Sequence, residues 1–209
     1  MPGPLPFLIA RTLRDDAALQ RLSVPQAALL AELAGKSVAL VGNARALAGT
    51  DQGAAIDAHD IVARINRAPI PSATSHGRRI DWLLLATRLP AADRARLAPA
   101  RILWMSHKRK RLDYATATSP GFYLHPLGDH AALTQTLGAP PSTGAMAVEL
   151  LLRADLARLD LYGFDGFASK SLSGRREAEQ VPHDFNAEAA WMAARAQADP
   201  RMTLHPPAA

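Results

Sequence analysis

The apolar positions of the chain fall into short unbroken runs separated by longer stretches of mixed polarity. Residues 38–41, 61–65, 80–86, 101–106, 121–127, 159–164 and 202–205 each hold a few neighbouring residues rich in Val, Ile, Leu, Trp or Tyr. Runs this short, mostly without polar alternation, mark strands buried on both faces of a sheet. Helical stretches lie between most of them, at 12–22, 25–34, 89–97, 129–138, 145–156 and 185–198. Their ends carry the expected punctuation. Ser23 caps and Pro25 opens the second helix, Gly35 and Gly138 close two of them, and Ala139-Pro140-Pro141 breaks the chain before the fifth. About seven strands with helices between them predict an α/β fold, a single Rossmann-like domain with a mostly parallel sheet flanked by helices. Residues 1–35 are expected to form a helical arm whose start is loosened by Pro2, Pro4 and Pro6, and residues 36–209 the principal domain.

Candidate chemistry gathers where the runs stop. The first strand ends at Gly42-Asn43-Ala44 and the second at Asn66, shortly before Pro69. Ligands of open parallel sheets bind beyond the carboxyl ends of the strands. An Asn amide both donates and accepts, so a pair of them can read a polar ring or a ribose, or serve as ordinary turn residues. Ser142-Thr143-Gly144 opens the apolar helix of residues 145–156. Its free N–H groups and hydroxyls suit a phosphate or carboxylate, or else simply cap the helix. Gly35-Lys36-Ser37 looks like the tail of a P-loop, but Leu30 stands where that motif needs glycine, and the strand follows it instead of preceding it.

Charge and composition narrow the picture only a little. The 209 residues include 24 Lys and Arg against 19 Asp and Glu, a formal net charge of +5, and no cysteine. There is therefore no disulfide framework and no thiolate metal site. A basic balance suits an anionic partner. The densest run is Lys108, Arg109, Lys110 and Arg111 after His107, either a solvated loop or a peripheral contact with an anionic membrane surface. Aromatic residues do not interleave with it, which argues against a nucleic-acid partner. No signal peptide or transmembrane stretch is expected, and the location is expected to be cytoplasmic, at most membrane-peripheral.

Three features in order carry a resemblance. The first is Val-Gly-Asn-Ala running through Gly53 to Ile56-Asp57-x-His59-Asp60-Ile61-Val62-x-Arg64-Ile65-Asn66-x-Ala68-Pro69, with Gly77-x-Arg79 trailing. The second is Pro141-Ser142-Thr143-Gly144 running to Tyr162-Gly163-Phe164. The third is His183 with Glu188 five residues on. They resemble the large, small and very small motifs of the eukaryotic-type sialyltransferases, glycosyltransferase family 29, in a compact bacterial-type version. The resemblance implies a sialyltransferase-type variant of the GT-A fold over residues 36–209. It implies an inverting, metal-independent transfer of a sialic acid, or a related 2-keto sugar acid such as Kdo, from a CMP-sugar to a hydroxyl of a glycan or glycolipid. It needs no cofactor. On that pattern Gly42, Asn43, Ala44, Asn66, Ser142, Thr143, Gly144 and Tyr162 hold the nucleotide, His183 is the general base, and Arg64 and Glu188 support the site.

The departures define the alternatives. The animal members of the family join the large and small motifs by a disulfide, whereas here Val38 stands at the first cysteine position. A His-Tyr-Tyr-like stretch that steadies the leaving phosphate in the family is missing, since residues 170–178 contain neither His nor Tyr. Lys170, Arg175 or Arg176 is expected to substitute by charge. The alternative is a module that binds CMP or another nucleotide and has lost turnover.

Overall fold

The computed structural model describes residues 3–166, 172 and 182–206. Seven strands form one sheet: β1 (Ser37–Val41), β2 (Ile61–Ile65), β3 (Trp82–Leu85), β4 (Arg101–Trp104), β5 (Tyr123–Leu124), β6 (Arg158–Tyr162) and β7 (Met202–His205). Their order is β5-β4-β3-β2-β1-β6-β7, and every neighbouring pair is parallel. The carboxyl ends of all seven therefore share one edge. The chain steps outward from β1 to β5, then returns to place β6 on the other side of β1. This reversal makes β1/β6 the switch point, where open α/β sheets bind ligands.

Alternation along each strand divides the core. Val38 and Leu40 of β1, Ile61 and Ala63 of β2 and Leu159 and Leu161 of β6 face one side, against Leu29, Leu33 and the helix α9 (Thr143–Leu152). Ala39, Val41, Val62 and Tyr162 face the other side with Leu47 and Ile56. Leu83, Leu85, Ile102 and Trp104 continue that second face under α1 (Pro4–Leu13) and α2 (Asp16–Gln20) through Phe7, Ala10 and Leu19. Covered on both faces, β1 to β6 require continuous apolar runs, whereas the edge strand β7 buries Met202 and exposes Thr203.

The N-terminus differs from the sequence-based expectation of a loose start. Pro4 and Pro6 lie within the first turn of α1, where a missing backbone N–H costs nothing because that turn has no intrahelical acceptor to meet. Four short elements also escaped the pattern: a 3₁₀ turn at Arg45–Gly49, α4 (Gly53–Asp57), α5 (Ala73–His76) and α7 (Tyr114–Ala117). Each is five residues or fewer, too short to display a helical period. The basic run is likewise not uniformly solvated. Arg109 turns inward, donating to Ser106 O at 2.8 Å, to His125 O at 2.7 Å and to Asp16 at 2.7 Å.

Candidate active site

Two glycines set the floor of the cleft. Gly42 N–H donates to Tyr162 O, and Ala44 N–H to Gly163 O, so the turns leaving β1 and β6 lie against each other. A Cβ on Gly42 would stand 2.3 Å from Gly163 O, a clash between two backbones that neither can relieve. Gly163 has φ +68°, the left-handed region that a side chain disfavours.

The asparagines fasten the strand ends to one another. Asn43 is buried and donates from Nδ2 to Ile65 O at 3.2 Å, tying β1 to β2. Asn66 sits at φ 54°, a conformation Asn tolerates better than most residues. Its Oδ1 accepts from Ala86 N–H at 3.0 Å, and its Nδ2 lies 3.5 Å from Thr143 Oγ1. Thus Asn66 joins the ends of β2 and β3 and reaches the start of α9. The main chain of Asn43 also accepts from Leu172 N–H at 2.8 Å.

The start of α9 is held by an acid from a distant helix. Ser142 Oγ accepts from Ala145 N–H at 3.1 Å, an N-cap. Glu188, 4% exposed in α10 (Phe185–Ala198), accepts from Ser142 N–H at 2.6 Å on one oxygen and from Ser142 Oγ at 2.5 Å on the other. Burial pushes the Glu188 carboxyl up from the ordinary carboxylate range, against the opposing pull of both Ser142 donors. His183 lies just before α10, and its Nδ1 is 2.8 Å from Pro140 O. A carbonyl can only accept, so Nδ1 carries the hydrogen, and in the neutral ring Nε2 is the nitrogen with the lone pair. Ser142, Glu188, Pro140 and His183 thus form one contiguous group at the carboxyl edge, with Thr143 and Asn66 beside it.

Other residues singled out in the sequence lie elsewhere. Gly144 makes room for protein: a Cβ there would come 2.6 Å from the Phe164 ring. Tyr162 is buried on the sheet face opposite α9, its ring stacked on His205 at 4.4 Å and edge-on to His59 at 5.9 Å. Burial raises its phenol to about 12. Arg64 is 1% exposed and donates to Arg79 O at 2.8 Å and to His76 O at 2.5 Å, holding the segment between β2 and β3. Burial lowers its guanidinium to about 10, partly offset by Asp57 and Asp81. Lys170, Arg175 and Arg176 lie outside the described residues.

Two histidines that sequence patterns did not single out flank the group. His107 follows β4, and its ring centroid lies 4.4 Å from that of His130 in α8 (Leu127–Leu137). Burial, then the charges of His107, Arg109 and His183, push His130 down to about 4. Only a lone histidine in a first helical turn marked His130 in the sequence, and such residues are common.

Comparison with known proteins bears on the family and on the fold. The family model described as glycosyltransferase family 29 (sialyltransferase) matches residues 13–87, the stretch that carries Gly42, Asn43, Arg64 and Asn66. Over that stretch the chain is similar to the sialyltransferases of glycosyltransferase family 29. No curated protein sequence matches it. Among solved structures, a mammalian sialyltransferase is similar at TM-score 0.60 and 18% identity, over 82% of this chain and 69% of that one. A mammalian sialyltransferase in complex with Gal-beta-1-3GalNAc-ortho-nitrophenol is similar at TM-score 0.59 and 19% identity, with the same coverage. At such identities the likeness speaks for the fold.

Proposed function

We propose that this family 29 glycosyltransferase moves a sialic acid, or a related 2-keto sugar acid, from its CMP conjugate to a glycan hydroxyl, with inversion and without a metal. The observation that carries the reading is the contiguous group at the carboxyl edge: a histidine with its Nδ1 engaged by Pro140 O, beside a capped helix start and two strand-end asparagines. In the reaction the acceptor oxygen bonds to the anomeric carbon of the sugar as the bond from that carbon to the phosphate oxygen breaks. The acceptor proton passes to His183 Nε2, and CMP leaves with the electron pair. Histidine is the side chain most often used as a positioned general base.

The nucleotide is assigned to the cleft between Asn43, Asn66 and the start of α9. There the Thr143 hydroxyl and the positive end of the helix dipole favour the phosphate as its charge grows. Stabilising a good leaving group and placing the hydroxyl supply the rate on this reading. Tyr162 enters through its carbonyl, which positions Gly42, and Arg64 through the backbone it holds. Lys170, Arg175 and Arg176 are proposed to supply the cationic help that the missing His-Tyr-Tyr stretch gives elsewhere. The exposed basic residues Lys108, Lys110 and Arg111 on the same edge suit a peripheral membrane contact and a glycolipid acceptor.

Replacing His183 by Ala is the test. Transfer from CMP-sialic acid is expected to fall about a hundredfold or more while CMP affinity stays within about twofold. Unchanged transfer would remove His183 as base. Running CMP-Kdo in parallel identifies the sugar. A wild type that binds CMP and turns over neither donor is the nucleotide-binding module that the missing stretch suggests.

A further inference from the structure

Helix α1 wears its apolar residues on the outside. Phe7 and Ala10 are buried, and Phe7 packs on the Tyr114 ring at 5.5 Å. The opposite face carries Leu5, Leu8, Ile9 and Leu13, which are 67, 45, 51 and 74% exposed. Spaced three, four and eight residues from Leu5, they form a continuous helical stripe. They are four of the five large apolar residues exposed among the described residues, the fifth being Leu127. Such a stripe is not required by the core, which α1 already serves with its other face.

The surroundings of the stripe are cationic. Arg11 donates from Nη1 to Leu112 O at 3.1 Å, which fixes α1 beside the 3₁₀ turn Arg109–Arg111. Lys108, Lys110 and Arg111 are exposed there, and exposed Arg14 ends the helix itself. The nearby acids are engaged: Asp16 pairs with Arg109 at 2.7 Å, Asp113 caps α7, and Asp15 caps α2. An apolar stripe bordered by cations is complementary to the boundary between acyl chains and anionic headgroups. No helix among the described residues is long and apolar enough to cross a membrane, so the contact lies in the plane of the surface.

We propose that α1 is a membrane-docking helix, inserting Leu5, Leu8, Ile9 and Leu13 into an anionic phospholipid surface while Arg14, Lys108, Lys110 and Arg111 contact its headgroups. The basic turn follows β4 at the carboxyl edge, so docking brings the edge bearing His183 toward the membrane. That last step rests on the site proposed above; the docking itself does not.

Co-sedimentation with vesicles tests it, using phosphatidylcholine alone and phosphatidylcholine with about a third phosphatidylglycerol. The full chain is expected to bind the anionic vesicles at least tenfold more tightly, and to lose binding as salt is raised. The double variant Ile9→Glu, Leu13→Glu is expected to bind at least tenfold more weakly, with an unchanged melting temperature and unchanged CMP titration. A Lys108→Glu, Lys110→Glu, Arg111→Glu variant is expected to lose the preference for anionic vesicles. Absence of vesicle binding, or binding that the α1 variant retains, overturns the proposal. So does self-association that the α1 variant abolishes without any vesicle binding, which would make the stripe a contact between copies. CMP titration reads the cleft alone, so a failed site and a failed docking surface are told apart.

Discussion

Two polar regions of the molecule obey different rules. One is a clasp between β2 and β3. Asp57 accepts from the N–H groups of Arg78 and Arg79, and Arg79 reaches back to the carbonyls of Asp57, His59 and Asp60 and to the Asp81 carboxylate. Arg64 closes it from below. Nearby, Asp160 is shared by His59 at 2.6 Å and His205 at 2.8 Å. These charges are spent on backbone and on one another. The other region is the carboxyl edge, where Asn66 reaches Thr143, Glu188 holds Ser142 and His183 meets the Pro140 carbonyl. On the proposed reading, the strand residues of the motifs serve the fold and those just past the strand ends serve the nucleotide. Arg64 and Asn66, two positions apart, fall on opposite sides of that divide.

The sharpest way to break the comparison is Arg64→Met. Losing the guanidinium strands two buried carbonyls and is expected to cost about 3–5 kcal/mol in urea denaturation. A variant as stable as the wild type but impaired in CMP binding would move Arg64 into the site. Next is acid. Burial pushes His125 down to about 4, so its folded value lies below its unfolded one. The unfolded chain takes up the proton first, and stability present above about pH 6.5 is lost as pH falls toward 4. That loss is expected to be about 2–3 kcal/mol between pH 7 and 4, and smaller in His125→Phe. Equal losses in both chains would contradict the assignment. Gly42→Ala is expected to cost about 2–3 kcal/mol through overpacking and to weaken CMP, because the clash is at the crevice floor. Smallest is Glu188→Gln, expected to cost about 1 kcal/mol while lowering CMP affinity several-fold, read by calorimetry. An effect on stability alone would leave Glu188 as a structural strut.

Much of this was legible in the sequence. The strands at 61–65 and 202–205 and the helix at 185–198 stand where the pattern put them; for 61–65, burial on both faces leaves little room for ambiguity. The gathering of Asn43, Asn66, Ser142 and Thr143 at the carboxyl edge was legible because all four sit at element ends. What sequence could not show depends on face and distance. Tyr162 ends a strand like Asn66, yet alternation turns its ring to the far side of the sheet. Gly144 reads as space for a ligand, but Phe164 fills that space. Arg109 reads as part of a solvated run, although three acceptors draw it inward. Glu188 was placed by motif alone; its hold on Ser142 spans 46 residues and has no local signature.

The most direct test is calorimetric titration of the chain with CMP, with UMP and AMP as controls, repeated on Asn66→Asp. That change keeps an oxygen for Ala86 N–H and the left-handed backbone, and it sets a negative charge beside the start of α9. The account expects CMP to bind with a Kd on the order of micromolar, at least tenfold more tightly than either control, and the variant to bind at least tenfold more weakly with its fold intact. Binding with no preference for CMP, or equal binding by Asn66→Asp, would contradict the placement of the nucleotide at the carboxyl edge.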